Sequence, residues 1–191
     1  MARNVERRRQ LQDAAIRVLA NAGARGLTYR AVDAEAGLAT GTASNYFPSR
    51  DELVAQVFER ISERLAPDPA TVDELARRPP SRSLFADYVR DIVARLTADR
   101  ETTLALFELR LEATRHAGVA EQVRRWLEQT FASDVAFNAG AGLPGGRAEI
   151  ALFHYAIDGL LLDRLTVPID PGTPTDSIVA DLVDRLLARA D

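Results

Sequence analysis

Helical periodicity with cap and breaker residues recurs along the whole of this chain, and strand signals are nearly absent. That pattern predicts an all-α fold of about nine helices: a three-helix head over residues 1–48, then a larger helical bundle over 49–191. Leu11, Ala15, Ile16, Val18 and Leu19 line one side of a first helix over 5–22, closed by Gly23. Thr28 caps a short second helix that stops at Gly37, and Leu27 is placed to staple onto Val32. A third helix runs from about Thr40 to Tyr46 and is ended by Phe47-Pro48; Ser49 caps a fourth, from Arg50 to about Arg64. Pro67–Pro80, rich in proline and charge, reads as a connector with one weak turn at most. Further helices are expected at about 82–97, 100–115, 119–137, 147–165 and 174–190, the last announced by Thr173 as cap and Pro174 at its first position. The glycine-rich loop 139–146 is flexible by composition.

A chain of 191 residues can bury a sizeable core. It has no cysteine, which removes disulfides, thiolate metal sites and cysteine nucleophiles together and suits a reducing cytoplasm, its expected location. No apolar stretch follows Arg7, Arg8 and Arg9, so no signal peptide is expected. The longest apolar-rich stretch, Ile150 to Leu162, contains His154 and Asp158 and is too short to span a bilayer, so no membrane partner is expected. The net charge is −4, but unevenly spread: residues 1–50 hold eight arginines against four acids, leaving the head at +4 and the remainder at −8. A basic head on an acidic body puts any polyanion-binding surface at the N-terminus.

Two short helices joined by a tight glycine turn make a helix-turn-helix, whose second helix must be slim and polar on one face to enter a major groove. The stretch from Gly37 to Leu53 suits that use: its side chains include small hydroxyls and an amide, followed by an aromatic pair. Asn45 can pair bidentately with adenine, and Thr40, Thr42 and Ser44 can donate or accept at base edges or touch a thymine methyl. Gly41 sits inside the same helix. Thr28, Tyr29, Tyr46 and Arg50 suit phosphates, which set register without reading sequence; Arg30 could do either, and Tyr46 could instead pack. Arg7, Arg8 and Arg9 read as a mobile basic tail brushing phosphates.

Residues 10–55 resemble the DNA-binding head of the tetracycline-repressor (TetR) family. The matching pieces are the apolar first helix, Leu27-Thr28-Tyr29-Arg30, Gly37-Leu38, Gly41-Thr42, and the run Asn45-Tyr46-Phe47-Pro48-Ser49-Arg50-Asp51-Glu52-Leu53. The resemblance covers about a quarter of the chain, and beyond it the bundle is similar to the family only in helix count and apolar character. It implies a sequence-specific DNA-binding transcriptional regulator, a ligand-responsive repressor, with double-stranded operator DNA, a second copy of itself and a small-molecule effector as partners. Two departures stand out. Ala39 replaces the family's usual serine, so Thr40 could cap the recognition helix instead of reading a base. Asp33 replaces a small apolar residue, and could either accept from free N–H groups at the start of the recognition helix or face solvent.

The body offers a dimer surface, since the helix at 147–165 is apolar nearly all round. With the last helix it resembles the family's four-helix interface, and Tyr155, Asp158, Leu161, Leu162, Leu165, Leu182 and Leu186 are the expected contacts. His154 and Asp158, four apart, face the same way as a structural pair, a dimer contact or ligand-binding groups. Arg110 has no acid three or four residues away and needs a partner on another helix or an anionic ligand. Phe85, Tyr88, Phe107, Trp126, Phe131 and Phe153 could wall a pocket for an apolar or aromatic molecule, or be ordinary core. With two histidines and no cysteine no metal site is expected, nor any cofactor. No nucleophile elbow or phosphate loop is present, which argues against an enzyme. The alternative reading is a helical small-molecule carrier or scaffold without specific DNA binding.

Overall fold

The structure, a computed structural model, describes residues 2–187. Among the described residues it is all-helical, with α1 (Ala2–Gly26), α2 (Tyr29–Glu35), α3 (Thr42–Tyr46), α4 (Arg50–Arg64), α5 (Pro69–Ala76), α6 (Arg82–Ala98), α7 (Arg100–Glu112), α8 (Ala117–Gly140), α9 (Arg147–Leu165) and α10 (Thr175–Leu186). The tenth helix is α5, inside the expected connector. Asp68 caps it by accepting from Thr71 N at 3.1 Å, and Pro69 at its first position costs no hydrogen bond. None of these helices is long and apolar enough to cross a membrane.

Helices sort into two compact units that do not follow chain order. One comprises the chain up to Ala66 together with Asp99–Trp126, so that α4, α7 and the start of α8 join α1–α3. Its axis is α1, against which α2, α4 and α7 all pack, α7 most extensively. Leu11, Ile16 and Leu19 of α1 are fully enclosed, as are Val32, Phe47, Val54, Val57 and Ile61. The helical path of α1 breaks at Gly23, where φ is +67°, and a Cβ there would come within 3.0 Å of the Glu108 carboxylate on α7. The break falls where the glycine was expected to close the helix, but the chain regains a last turn to Gly26. At the other end α1 includes Arg7, Arg8 and Arg9, so these are helical residues and no loose tail.

The second unit holds Pro67–Ala98 and the chain from Leu127 onward. Here α6, α9 and α10 pack together around Leu84, Phe85, Val89, Phe153, Leu161, Val179 and Val183. Arg82 closes the end of α10, donating to the carbonyls of Leu187 at 2.8 Å and Val183 at 3.0 Å. α10 starts one residue later than its sequence signals imply, because the Thr173 hydroxyl bonds Asp170 and Pro174 occupies the cap. The loop 141–146 is tied down by buried Asn138, whose amide donates to Gly145 O at 2.8 Å and to the carbonyls of Leu143 and Pro144 at 3.4 Å.

Candidate nucleic-acid interface

The helix-turn-helix is built by two glycines at positive φ and by the side chains of Thr28, Gln10 and Asp33. Thr28 opens α2 by accepting from Ala31 N at 3.1 Å. At the other end Gly37, with φ +65°, lets Leu38 N reach Asp33 O at 2.8 Å and Gly37 N reach Ala34 O at 3.1 Å. This pair of bonds is the Schellman ending, which satisfies carbonyls left over by the helix. Gln10 of α1 donates to Ala36 O at 2.8 Å and holds the same end of α2 from the other side.

α3 follows after a turn that ends on Gly41, φ +93°, which stands at the cap position and has no side chain to cap with. Asp33 supplies the cap from α2. Its carboxylate is 1% exposed; Oδ2 accepts from Gly41 N and Oδ1 from Ala43 N, both at 2.7 Å. Of the two readings open for Asp33, the one in which it serves the recognition helix is therefore the structure's. Thr40, the other candidate cap, is exposed. Ala43 and Phe47 pack the inner side of α3 into the core and leave Ser44 and Asn45 exposed, with Thr42 and Tyr46 half-buried. The hydroxyls of Thr42 and Ser44 donate to the carbonyls of Ala39 at 2.6 Å and Gly41 at 3.0 Å, leaving oxygen lone pairs outward.

The flanking residues divide. Thr28 and Arg30 are exposed, whereas the Tyr29 hydroxyl is enclosed and has no hydrogen-bond partner among the described residues. Arg8 lies over the rings of Tyr46 and Phe47, 5.8 and 5.6 Å from their centroids, so this arginine braces the end of α3. Arg50, expected at a phosphate, has its guanidinium engaged within the fold. Nη1 donates to Leu27 O at 2.6 Å and Nη2 to Ala24 O at 2.9 Å, while buried Glu112 of α7 stands 3.9 Å away. The forked guanidinium thus reaches two carbonyls at once, one in the last turn of α1 and one just beyond it. Sequence reasoning missed Glu112, which on a largely apolar helix carries no motif to announce it.

In the body, Phe85 and Phe153 are both buried with ring centroids 4.7 Å apart, and Tyr88 meets half-exposed Phe137 edge-on at 5.1 Å. His154 pairs with Asp134 of α8, Nε2 to Oδ2 3.0 Å, and its ring meets Phe131 edge-on. Phe107, Arg110 and Trp126 belong to the other unit. There Trp126 donates to Ser62 Oγ at 2.8 Å and packs on Phe58, and Arg110 already has an interaction of its own. Of the expected dimer contacts, Leu161 and Leu165 are buried within the unit; Asp158, Leu182 and Leu186 are half-buried, and Tyr155 and Leu162 are exposed.

Residues 11–57 match the family model described as bacterial regulatory proteins, tetR family, and residues 80–189 match tetracyclin repressor-like, C-terminal domain. The chain belongs to the TetR family. It is thus a DNA-binding, ligand-responsive transcriptional regulator with an N-terminal helix-turn-helix and a larger helical C-terminal part. Among solved structures this TetR-family regulator is similar to the multidrug binding protein EbrR complexed with ethidium, at 25% identity and TM-score 0.68, over 95% of this chain and 99% of that one. A member of the TetR family from Streptomyces coelicolor aligns at 24% identity and TM-score 0.64, over 96% and 99% of the two chains. The regulator FadR from Bacillus subtilis, in complex with stearoyl-CoA, shares the fold at 16% identity and TM-score 0.69, over 95% and 98%. No curated protein matches the sequence.

Proposed function

We propose that this TetR-family regulator acts in the cytoplasm as a homodimeric repressor released from its operator by an aromatic small molecule. The observation that carries the DNA-reading half is the two-sidedness of α3: Ala43 and Phe47 are fully enclosed while Ser44 and Asn45 stand exposed. Asn45, Ser44, Thr42 and Thr40 then address base edges, and Thr28, Arg30 and Tyr46 the phosphates.

The homodimer half rests on α9. Ala148, Leu152, Tyr155, Gly159 and Leu162 recur at spacings of four and three, all exposed and none charged. Tyr155 is 72% exposed, which an isolated subunit gains nothing from. A second copy laid along this stripe would cover it and present two reading helices to two half-sites. Phe85, Phe153 and Tyr88, with Phe131 beside His154, supply aromatic surface for the effector, and the ethidium complex of EbrR favours a flat ring system. An effector that prefers the DNA-incompetent state by about 1–3 kcal/mol would weaken operator binding roughly 5–150-fold, with DNA weakening effector binding equally.

The test is a salt-titrated binding assay on duplexes selected by the protein from a random pool. A repressor enriches a sequence and its affinity falls steeply as salt rises. Unbiased pools would instead favour the carrier, and an unchanged affinity in Asn45→Ala would remove that residue from base reading.

A further inference from the structure

We propose that Asp33 is the positioning residue that sets α3 for sequence reading, and that it closes the start of this helix to phosphate. The proposal deepens the DNA-reading role of the head. α3 has five residues, too few to hold its own geometry in water, since the first helical turn fixes several dihedrals for a single hydrogen bond. Its opening N–H groups have no partner inside the helix, and Gly41 cannot cap them. The Asp33 carboxylate reaches across from eight and ten residues earlier and binds Gly41 N and Ala43 N on separate oxygens at 2.7 Å.

A side chain 1% exposed is costly to bury when it is a carboxylate, and bonds to two backbone donors on separate oxygens offset that cost. α2 is itself anchored on α1 through Gln10 to Ala36 O, the exposed Arg17–Glu35 ion pair adding little to that hold. Position therefore passes from α1 to α2, through Asp33, to α3 and to the outward side chains of Ser44 and Asn45. The helix start, elsewhere a ready anion site, here has its donors engaged and a negative charge behind them. DNA is consequently met by side chains at this point, and a tilt of α3 would change which bases they reach.

The experiment compares Asp33→Asn and Asp33→Ala with Glu35→Gln in the full chain, the last removing one negative charge from the same helix without touching α3. Each variant is titrated against the duplex that wild type selects from a random pool and against a scrambled duplex of equal length. Amide hydrogen exchange at Gly41 and Ala43 is followed without DNA. Both Asp33 variants should lose roughly 10–100-fold of the preference for the selected duplex, with scrambled-duplex affinity kept or raised. Glu35→Gln should keep the preference, and the two amides should be protected in wild type and exchange faster in both Asp33 variants. If Asp33→Ala fails to fold, Asp33→Asn carries the comparison, its amide oxygen still able to accept one of the two bonds. An unchanged preference in Asp33→Asn, or an equal loss in Glu35→Gln, overturns the proposal. So does rapid exchange of the two amides in wild type. A wild type that selects no sequence would sink the DNA-reading role as well, and protected amides would show that the carboxylate bonds had survived that failure.

Discussion

The guanidinium of Arg50 donates to the carbonyl of Leu27 at 2.6 Å and so ties the first turn of α4 to the chain just beyond α1. A second bond to Ala24 O at 2.9 Å, with buried Glu112 3.9 Å away, engages this guanidinium within the fold. Arg50→Ala should therefore lower stability by about 1–3 kcal/mol, because the Leu27 and Ala24 carbonyls each lose a charged donor and buried Glu112 loses a nearby positive charge. The salt dependence of DNA binding should keep its slope, whereas loss of a phosphate contact would reduce that slope by about one with no change in unfolding midpoint. Arg50→Lys should rescue little, since one ammonium cannot reproduce the fork. Urea unfolding and a salt titration on the same samples separate these outcomes.

Asp99 gives the first unit a dependence on pH. Burial pushes its carboxyl up, but Arg64, bonding both oxygens at 2.8 Å, and Thr102 outweigh that and hold it below its ordinary 3.8. A carboxyl lowered by folding contributes stability that is complete above its unfolded value and disappears as pH falls through the folded one. Asp99→Asn should cost about 1–2 kcal/mol at neutral pH. The deficit should shrink on acidification and close once the wild-type carboxyl is itself protonated. Thermal melts of both proteins from pH 7 downward read this directly; a deficit constant with pH would show that the ion pair contributes nothing beyond packing.

What the sequence made legible was local chemistry. Thr28 and Ser49 cap the helices that their positions announce, because a hydroxyl three residues before an orphan N–H needs no tertiary information. Asp33 was half legible: a carboxylate four residues before a turn glycine suggested a partner on the next helix, but its burial depends on how α2 and α3 fold back. The helix α5 was obscured by its prolines, although Pro69 is the residue that starts it. Arg50 and Glu112 were illegible as a pair, since 62 positions of chain separate groups that only the packing of α4 and α7 brings together. On α9 the apolar pattern concealed which leucines point inward, because nearly every face is apolar.

Asn138 organises a loop whose composition reads as loose. Its amide is the donor to three consecutive carbonyls, and Leu143 within the loop is buried. Asn138→Ala should destabilise the second unit by about 1–3 kcal/mol, the cost of leaving enclosed carbonyls without a donor. Hydrogen exchange should quicken at Leu143, whose N–H bonds Asn138 O at 3.0 Å, because the backbone there loses its anchor. Unchanged exchange at that amide would mean the turn holds itself.

Leu161 and Leu162 are neighbours with opposite surroundings, and that contrast isolates the proposed dimer surface. Leu161 is 1% exposed in the core of its unit, while Leu162 is 50% exposed on the stripe with Leu152 and Tyr155. Leu162→Glu places a charge where a second copy is proposed to lie, at little cost to the separate subunit, which leaves that position in water already. Sedimentation should show a folded monomer, and affinity for a two-half-site duplex should drop by roughly 10²–10⁴ as the second contact ceases to be intramolecular. Binding to a single half-site should be unaffected. Leu161→Ala removes a packed side chain and should cost about 2–5 kcal/mol of stability while the surviving folded protein sediments as wild type does. A Leu162→Glu protein that stays dimeric would move the interface off this face of α9, because a buried carboxylate without a partner could not be tolerated there.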